Sequence, residues 1–534
     1  MVFLSFVLPI RGELEGARGE GRGGAYIMLK IIRRTLAAIV GLAMLLMFLD
    51  FTGTLHAWFA WLAKIQLLPA ILAVNIVVLI ALVVLTFLFG RIYCSVICPL
   101  GIMQDFIARI GRIRRKNPYS YSKPKNWLRY SVLALMVVGL VASVSIVVEV
   151  LAPYSTFGRI VTTVFQPLYI LANNVLASIA ESVDSYAFYN KELWIESGIL
   201  IAVTAVHFLI IAVLAWRNGR TYCNTICPVG TLLGFISRFS FFKIKIDETK
   251  CRKCGKCAKN CKAACIDFKT MTIDHSRCVT CGDCLEHCSF GALSYGMKKA
   301  AVAAPSEPIS TSAPVSEASA SDETVDTSKR AFLLSAAMAT TAAAFAEDKI
   351  KLDGGLAKII GKESPKRKTP ITPPGSLSAQ NLAKHCTACQ LCISECPNNV
   401  LRPSTSLDNF MQPVMSYDRG YCRISCNRCS EVCPTSAIRS IEKEERTAIQ
   451  VGHAVLIKKN CLAASGEASC GNCARHCPVQ AIEMVAINPE DQESPKVPAI
   501  DEIKCIGCGA CENLCPVRPF SAIYIEGHEK HKEI

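Results

Sequence analysis

The sequence predicts an α-helical membrane bundle of four transmembrane helices, joined to small α+β domains built around cysteines. Two observations lead to this prediction. The 534 residues are 51% hydrophobic, and the apolar residues are concentrated in the first half of the chain. The chain also has 29 cysteines, most of them in the second half. It is too long for a secreted disulfide scaffold, and its apolar runs are long enough to cross a bilayer.

Residues 1–27 are rich in Gly, Arg and Glu and are interpreted as an N-terminal extension or a misassigned start. Residues 28–242 are predicted to form the transmembrane domain. Its spans approach the roughly 20 residues that a membrane helix needs, and they are 35–51, 67–90, 127–151 and 195–216. A fifth apolar stretch, 160–180, is predicted to re-enter the membrane or lie at its interface, because polar residues and a proline interrupt it. These are Gln166, Pro167, Asn173 and Asn174.

Basic residues near the ends of the spans predict the orientation of the helices. They precede the first span, lie between the second and third, and follow the fourth, so four spans place all of them in the cytoplasm. They include Arg33, Arg34, Arg91, Arg109, Arg112, Arg114, Arg115, Lys116, Lys123, Lys125, Arg217 and Arg220. Beside membrane helices this pattern indicates topology rather than nucleic-acid binding, and no nucleic-acid partner is expected.

Residues 243–299 contain two runs of the form C-x2-C-x2-C-x3-C, which are typical of a pair of [4Fe–4S] clusters in a bacterial ferredoxin-like fold. In that run the fourth cysteine binds the other cluster. One predicted ligand set is Cys251, Cys254, Cys257 and Cys288, and the other is Cys278, Cys281, Cys284 and Cys261. Cys265 is a spare thiol or a competitor of Cys261. Zinc is the alternative, but zinc sites usually show two separated cysteine pairs.

Two segments without cysteines follow. Residues 300–327 contain no Lys or Arg and are rich in Ala, Ser, Pro and acids, which predicts a disordered linker. Residues 328–349 look like a twin-arginine export signal in which Lys329 replaces the first Arg, with a small-x-small site ending at Ala346. Cleavage after Ala346 would release the last domain, and retention would leave a membrane anchor. The alternative is an Ala-rich helix that joins two cytoplasmic domains.

Residues 350–534 form the last predicted domain and carry four motifs that share C-x2-C-x3-C-P, which predicts four further [4Fe–4S] clusters. The motifs are Cys386/Cys389/Cys392/Cys396, Cys422/Cys426/Cys429/Cys433, Cys461/Cys470/Cys473/Cys477 and Cys505/Cys508/Cys511/Cys515. Pairing of the motifs is either nested, first with fourth, or sequential. The intervals between the motifs do not decide between these.

The remaining four cysteines lie in a repeated loop, Gly-Arg-x-Tyr-Cys-x3-Cys-Pro-x-Gly, that directly follows a predicted span each time. The copies contain Cys94 and Cys98, and Cys223 and Cys227. Both copies emerge on the same face, so four thiolates could converge on a seventh site. The candidates are a [4Fe–4S] cluster, a pair of redox-active disulfides, or a site where quinol delivers electrons. The alternative is a helix-capping loop with incidental thiols. Glu149, near the end of the third span, is a candidate acceptor of quinol protons.

These motifs support a resemblance to two known families. Residues 28–299 resemble the NapH-type membrane ferredoxins, on the spans, the two loops, the stretch 152–159 and the two-cluster tail. Residues 328–534 resemble the NapG/MauM-type periplasmic ferredoxins, on the export-like signal, Pro373-Pro374-Gly375 and the four motifs. The chain is therefore interpreted as a natural fusion of the two, with its boundary near residue 328.

The resemblance implies oxidation of membrane quinol and delivery of electrons to a periplasmic reductase or c-type cytochrome. It also implies the bacterial inner membrane, with residues 243–299 cytoplasmic and 350–534 periplasmic. Six clusters without a substrate pocket suggest an electron carrier, with a quinol dehydrogenase component as the one enzymatic interpretation. Terminal acceptor, direction of electron flow and oligomeric state stay open.

Two other classes of function share some of these features. The copper reductases of cytochrome oxidase assembly have the repeated C-x3-C-P loops and a membrane ferredoxin. They typically add an immunoglobulin-like domain, which this C-terminus does not resemble. A redox-sensing regulator similar to the membrane flavoprotein of nitrous-oxide respiration is the third class, and it would carry an exported flavin domain.

Overall fold

The computed structural model of the chain describes residues 22–50, 54–113, 119–185, 188–191, 197–297, 360–488, 490 and 494–534. The N-terminal extension up to residue 21, the linker 300–327, the export-like segment 328–349 with Ala346, and Arg114, Arg115 and Lys116 lie outside these residues. The chain divides into one compact unit, Met1–Gly296 with Gly361–Ile534, and a second unit, Met297–Ile360. Of the second unit only its two end residues are described.

The first half of the chain is helical. Its helices are α1 (Arg22–Leu49), α2 (Thr54–Lys64), α3 (Leu67–Leu72), α4 (Ile76–Phe89), α5 (Tyr93–Val96), α6 (Pro99–Ile113), α7 (Asn126–Val141), α8 (Ser145–Leu151), α9 (Pro153–Ile160), α10 (Gln166–Glu181), α11 (Gly198–Asn218), α12 (Thr221–Thr225) and α13 (Pro228–Ser237). Among the described residues, three helices are long and apolar enough to cross a membrane: Met28–Leu49, Pro153–Glu181 and Gly198–Asn218.

Two of the four predicted spans are broken helices, which differs from the prediction. The stretch 67–90 divides into α3 and α4 because Val74 adopts a left-handed conformation with φ 52°. Asn75 then starts α4, where its side-chain oxygen accepts a hydrogen bond from the Val78 amide. The stretch 127–151 divides into α7 and α8 at Ser143, whose φ is 57°. Neither position has the glycine or proline that usually marks such a break.

The stretch 160–180 belongs to one continuous helical segment, so its polar residues and proline do not interrupt the helix as predicted. A π-helical turn, Val161–Phe165, joins α9 to α10 without a break. Pro167 directly follows this π-helical turn, and the wider turn accommodates the proline ring and its missing amide hydrogen. Asn173 and Asn174 donate side-chain hydrogen bonds to the carbonyls of Tyr189 and Lys191, so they hold a loop rather than interrupt the helix.

The first cysteine-rich unit follows α13. Strand β1 (Phe242–Ile246) pairs with β4 (Leu293–Met297), and β2 (Ile266–Asp267) pairs with β3 (Thr272–Ile273). Two one-turn helices, α14 (Lys256–Lys259) and α15 (Asp283–Glu286), each lie within a cysteine motif. Small paired strands with short helices at the cysteines give the expected α+β arrangement.

The C-terminal part has the same character. Its helices are α16 (Ala379–His385), α17 (Leu391–Ser394), α18 (Arg428–Val432), α19 (Asn472–Arg475) and α20 (Ala510–Leu514). Its strands are β5 (Leu401–Pro403), β6 (Pro413–Met415), β7 (Ile449–Leu456), β8 (Ile482–Ala486), β9 (Lys496–Ile500) and β10 (Ile523–Glu533). They form three antiparallel pairs, β5 with β6, β7 with β10 and β8 with β9. One continuous hydrophobic core extends from the helices into this part of the chain.

Candidate iron–sulfur sites

The two C-x3-C-P loops are built in the same way. Each begins at a glycine that ends a long helix with a positive φ, 76° at Gly90 and 67° at Gly219. A short helix then carries the first cysteine, and the proline after the second cysteine starts the next helix. All four thiol side chains, those of Cys94, Cys98, Cys223 and Cys227, are buried.

Two arginines join the loops reciprocally. Arg91 of the first loop donates hydrogen bonds to the carbonyl oxygen of Cys223, at 3.3 Å, and to the sulfur of Cys94, at 3.8 Å. Arg220 of the second loop donates to the carbonyl oxygen of Cys94, at 2.7 Å, and to the sulfur of Cys223, at 3.9 Å. The arginine of each loop therefore donates to the cysteine carbonyl of the other loop. The two loops are related by a local two-fold arrangement, which brings the four thiols together.

Glycines make this close approach possible. A Cβ atom at Gly101 would collide with the Cys94 carbonyl oxygen and would lie 2.6 Å from a guanidinium nitrogen of Arg220. A Cβ atom at Gly230 would collide with the Cys223 carbonyl oxygen and would lie 2.7 Å from a guanidinium nitrogen of Arg91. The final glycine of each repeat is thus required by the packing of the loops.

These buried thiols suit a group that binds thiolates. Burial raises the pKa of Cys98 and of Cys227, and the neighbouring cysteines raise both further. Four such thiols ionise together only against a strongly positive partner, as iron in a cluster would be. Cys94, Cys98, Cys223 and Cys227 are all free thiols in the structure. The donor set therefore fits an iron–sulfur cluster.

A buried ion-pair network connects the loops to the first cysteine-rich unit. Asp105 of α6 lies 2.7 Å from Arg220, 2.8 Å from Lys262 and 3.9 Å from Arg33. Burial alone would raise the pKa of Asp105, but these three cations hold it well below its usual range. Lys262 directly follows Cys261, a candidate cluster ligand. The Asp105 carboxylate therefore links α1, the second loop and this candidate cluster site.

This network adds to one prediction. Arg33, Arg91 and Arg220, predicted as cytoplasmic charges at the ends of spans, are all buried within the protein. Arg91 and Arg220 are fully buried and bind the loops instead of water. The Gly-Arg-x-Tyr repeat indicates this structural role of Arg91 and Arg220. An arginine that serves only to orient a helix in the membrane has no reason to recur at the same position of a duplicated motif.

The first cysteine-rich unit gathers its thiols into two groups. Cys261, Cys278, Cys281 and Cys284 line one small cavity of about 10 Å³. Cys257 lies in the electrostatic field of Cys254 and Cys288. Cys265 lines the cavity of the first group, with its sulfur 3.5 Å from that of Cys261. The surplus thiol therefore lies beside the site, where it can hydrogen-bond or compete with Cys261.

The C-terminal motifs exchange their fourth cysteines in sequential pairs. In the first pair, burial and the nearby thiols of Cys389, Cys386 and Cys433, with a smaller effect of Cys429, raise the pKa of Cys392. Burial and the thiols of Cys422, Cys396 and Cys426 raise the pKa of Cys429. In the second pair, one small cavity is lined by Cys461, Cys470, Cys473 and Cys515, and another by Cys477, Cys505, Cys508 and Cys511. The structure therefore favours sequential over nested pairing.

The motif spacing favours clusters over zinc ions, because zinc sites usually show two separated cysteine pairs rather than C-x2-C-x2-C-x3-C runs. Among the residues that the structure describes, no group of three or more His, Cys, Asp or Glu surrounds a single metal-ion position. Burial raises the pKa of Cys281, Cys389 and Cys508 to about 12 each, which again calls for a positive partner.

The C-terminal part contacts the helices through its first motif. A Cβ atom at Gly158 of α9 would collide with the carbonyl oxygen of Cys389. Thr162 donates a hydrogen bond of 2.6 Å to Gln390. Glu149 is buried and accepts a hydrogen bond of 2.8 Å from Gln412. The carboxylate singled out from sequence therefore lies at this contact.

Sequence reasoning missed several residues of these sites. Asp105 and Lys262 gave no motif signal, because an ion pair between distant segments leaves no pattern along the chain. Gly158 and Arg159 lie in the stretch 152–159, which was noted only as a point of resemblance. Arg159 is buried in the electrostatic field of Glu149, Tyr222 and Cys389. It thus lies between the second loop and the first C-terminal motif.

Family profiles match both kinds of site. A profile described as a 4Fe-4S binding domain matches residues 71–118 and 200–247, which contain the two C-x3-C-P loops. A profile for a 4Fe-4S dicluster domain matches residues 385–462 and 468–518, and a second dicluster profile matches 274–400. These matches support iron–sulfur binding across the chain.

Curated relatives match the C-terminal part. The methylamine utilization ferredoxin-type protein MauM of Methylobacillus flagellatus is 31% identical over 153 residues, which are 28% of this chain and 64% of that protein. The ferredoxin-type protein NapF of Escherichia coli is 28% identical over 34% of this chain and 100% of its own length. The ferredoxin-type protein NapG of the same species is 27% identical over 32% of this chain and 79% of its own length.

The chain thus spans less than two thirds of the MauM protein. No solved structure matches the chain. Profiles and relatives together identify an iron–sulfur protein of the ferredoxin type.

Proposed function

We propose that this ferredoxin-type electron-transfer protein, related to MauM, NapF and NapG, is anchored in the bacterial inner membrane. There it takes electrons from membrane quinol and passes them to a periplasmic reductase or c-type cytochrome. One observation carries the proposal. The two cysteine-rich parts contact opposite ends of α1, which is apolar and long enough to cross a membrane.

The contacts at the two ends of α1 support it in detail. Near the start of α1, Lys30 pairs with Glu286, and Arg34 lies 3.5 Å from Asp283 of the first cysteine-rich unit. Near its end, Phe48 packs against Gly158, which contacts the Cys389 loop of the C-terminal part. Lys30 and Phe48 are 18 residues apart, which is about 27 Å along an α-helix and close to the thickness of the hydrocarbon core.

Between these ends the chain provides an intermediate site. We infer that Cys94, Cys98, Cys223 and Cys227 hold a seventh [4Fe–4S] cluster, in addition to the six assigned to the ferredoxin motifs. When bound, such clusters supply one-electron carriers. The residues of the chain bury the thiols, exclude water and order the sites in a row. Arg91 contacts both Cys94 and the Ser276 carbonyl beside the Cys278 motif, and Arg159 lies between Tyr222 and Cys389.

A topology experiment tests the transmembrane arrangement. Protease is added to intact spheroplasts of cells shown to be competent for export. Digestion of the C-terminal part, with residues 243–296 protected until the cells are lysed, is expected. Protection of both parts in intact spheroplasts would contradict transfer across the membrane and would place every ferredoxin motif in the cytoplasm.

A second experiment tests the loop thiols as a functional site. The variant Cys94→Ser with Cys223→Ser should abolish reduction by decylubiquinol of the two clusters assigned to residues 243–296, which lie beyond the loop site, while dithionite still reduces them. Cys265→Ser is the matched control, because that thiol is the one left over from the seven groups of four. Unchanged reduction by decylubiquinol in the loop variant would make the loops structural.

A further inference from the structure

A large cavity lies where the apolar helices meet the first C-terminal cysteine motif. It has a volume of about 600 Å³ and is partly open to solvent, whereas the cavities lined by the cysteines measure about 10, 30 and 10 Å³. One wall is the turn and start of α10, with Thr162, Gln166 and Ile170. The facing wall includes Gln390 and Cys396. The cavity therefore separates a candidate membrane helix from a candidate cluster ligand.

The lining combines two kinds of surface. Its polar surface includes the side chains of Thr162, Gln166 and Gln390, and Thr162 donates a hydrogen bond of 2.6 Å to Gln390. Two basic residues, Lys191 and Arg419, also line the cavity. Ile170 and Leu200, together with Ile201, line it from α10 and α11. A ligand with a hydrogen-bonding head and a long apolar tail fits such a lining, whereas a fully polar solute would leave the apolar wall unused.

The apolar wall continues onto the exposed surface of α10. Leu168 and Leu171 expose 51% and 45% of their surface on this helix, which is one of the candidate membrane spans. An apolar tail could thus leave the cavity along a face that the proposed membrane covers. A soluble redox metabolite has no use for such an exit, and this favours a lipid-soluble ligand.

We propose that this cavity binds the head group of a membrane quinol, with Gln390, Thr162 and Gln166 as its polar contacts. The inference rests on the proposed function and assigns a binding site to the quinol that donates the electrons. Cys396, in the cavity wall, belongs to the thiol group of Cys422, Cys426 and Cys429. A quinol bound there lies beside that group.

The electron balance is simple. Oxidation of one quinol to quinone releases two electrons and two protons. Two oxidised clusters held by the C-terminal cysteine motifs would accept these electrons one at a time, and water in the solvent-open cavity would accept the protons. Electrons enter the C-terminal part directly, so the loop site and the first cysteine-rich unit lie on a second branch.

Kinetics of cluster reduction test the site. The purified holoprotein in nanodiscs is mixed with decylubiquinol, and bleaching of the iron–sulfur absorption is followed. Gln166→Trp, which fills the cavity, and Gln390→Asn, which withdraws the amide, should each slow reduction about tenfold, the loss expected for one buried hydrogen bond. Asn tolerates the left-handed conformation of Gln390, whose φ is 65°. Ser178→Trp, on the exposed face of α10, is the matched control.

A binding measurement without turnover complements the kinetics. An azidoquinone is photolysed on the wild-type holoprotein, and labelled peptides are identified by mass spectrometry. Label on peptides containing residues 162–170 or 390–403, displaced by excess decylubiquinone but not by phospholipid, supports the inference. Label confined to other peptides, or displaced equally by phospholipid, overturns it.

The outcomes separate the site from the function. If decylubiquinol reduces the wild type and the two cavity variants at equal rates, the cavity is not the quinol site, although quinol remains the donor. If dithionite reduces the wild type but no quinol does, the proposed function itself is wrong. Slower reduction by decylubiquinol alone, with unchanged dithionite reduction and electron paramagnetic resonance spectra, supports both.

Discussion

Arg91 and Arg220 are fully buried cations with different partners. Arg220 has the carboxylate of Asp105 at 2.7 Å. Arg91 donates to Asn224, to the Ser276 carbonyl and to the Cys223 carbonyl, and no ion pair with a carboxylate is found for it among the described residues. A buried cation without a counter-charge is costly. A thiolate-bound cluster beside Arg91 would supply that negative charge, so the arginine is further evidence for a cluster at the loops.

The glycine that ends each repeat gives a direct test at the same scale. Gly230→Ala should displace the Cys223 carbonyl and Arg91, because the added Cβ atom would collide with both. We expect a destabilisation of about 1–3 kcal/mol, as for other overpacked sites, and the loss of iron equal to one cluster per chain. Iron and sulfide analysis with thermal unfolding would measure this.

Gly296→Ala is the matched control, because a Cβ atom there meets nothing within 4 Å. Iron content equal to that of the wild type in both variants would contradict a cluster at the loops.

At the scale of elements, apolar composition predicted where helices form but not where they break. Val74 and Ser143 adopt left-handed conformations. Their residue types do not predict these conformations, because tertiary packing determines them. The opposite error occurred at 160–180. Polar residues there suggested an interruption, yet the π-helical turn accommodates Pro167, and the two asparagines bond a neighbouring loop.

In the cysteine motifs, too, the local sequence predicts some ligands, whereas others depend on contacts between segments that are distant along the chain. Three cysteines at short spacing can be assigned from sequence, because one loop must wrap them around one group. The fourth cysteine depends on which motifs pack together, and chain intervals carry no such information. The sequential pairing follows from the positions of the fourth cysteines, Cys396, Cys433, Cys477 and Cys515, each of which lies with the thiols of its partner motif.

Exchange of the fourth cysteine predicts an unusual result for single variants. Cys396→Ser should remove or alter the cluster of the second motif, not that of its own motif. Redox-titrated electron paramagnetic resonance of the holoprotein would show which signal changes. The signal altered in Cys396→Ser should match that altered in Cys426→Ser and differ from that altered in Cys389→Ser. A match with Cys389→Ser instead would show that each motif keeps its own fourth ligand.

At the scale of the whole molecule, the C-terminal part is attached to the helices by specific contacts as well as by the chain. Besides the bonds of Thr162 and Glu149, His56 of α2 lies 3.5 Å from Glu395. At Gly158 the α9 backbone packs so close to the Cys389 carbonyl that there is no room for a side chain between them. Close contact of this kind suits electron transfer, because it brings the first motif against the helices.

This attachment predicts how the protein behaves when the chain is cut. With a protease site introduced within residues 300–327, the C-terminal part of the wild type should stay bound after cleavage. Gly158→Ala should weaken that binding by about 1–3 kcal/mol, roughly ten- to a hundredfold in Kd, because the added Cβ atom collides with the Cys389 carbonyl.

Co-purification of the two fragments, with iron content as a check on folding, measures this effect. Gly198→Ala is the control, since a Cβ atom there has no neighbour within 4 Å. If the wild-type fragments separate as readily as those of Gly158→Ala, the contacts at α9 do not hold the parts together.

The reciprocal arginines have a consequence for how such a site can be assembled. Each repeat satisfies the other as the two subunits of a symmetric dimer do, with the same surface used twice. Here both subunits belong to one polypeptide, so the interface forms at an effective concentration that two separate chains do not reach. A shortened chain with a single repeat would lack half of the thiols and the donor for its own cysteine carbonyl. It would complete the site only by pairing with a second copy of itself. The duplicated chain therefore forms the interface of a dimer within one polypeptide, where the two halves cannot dissociate.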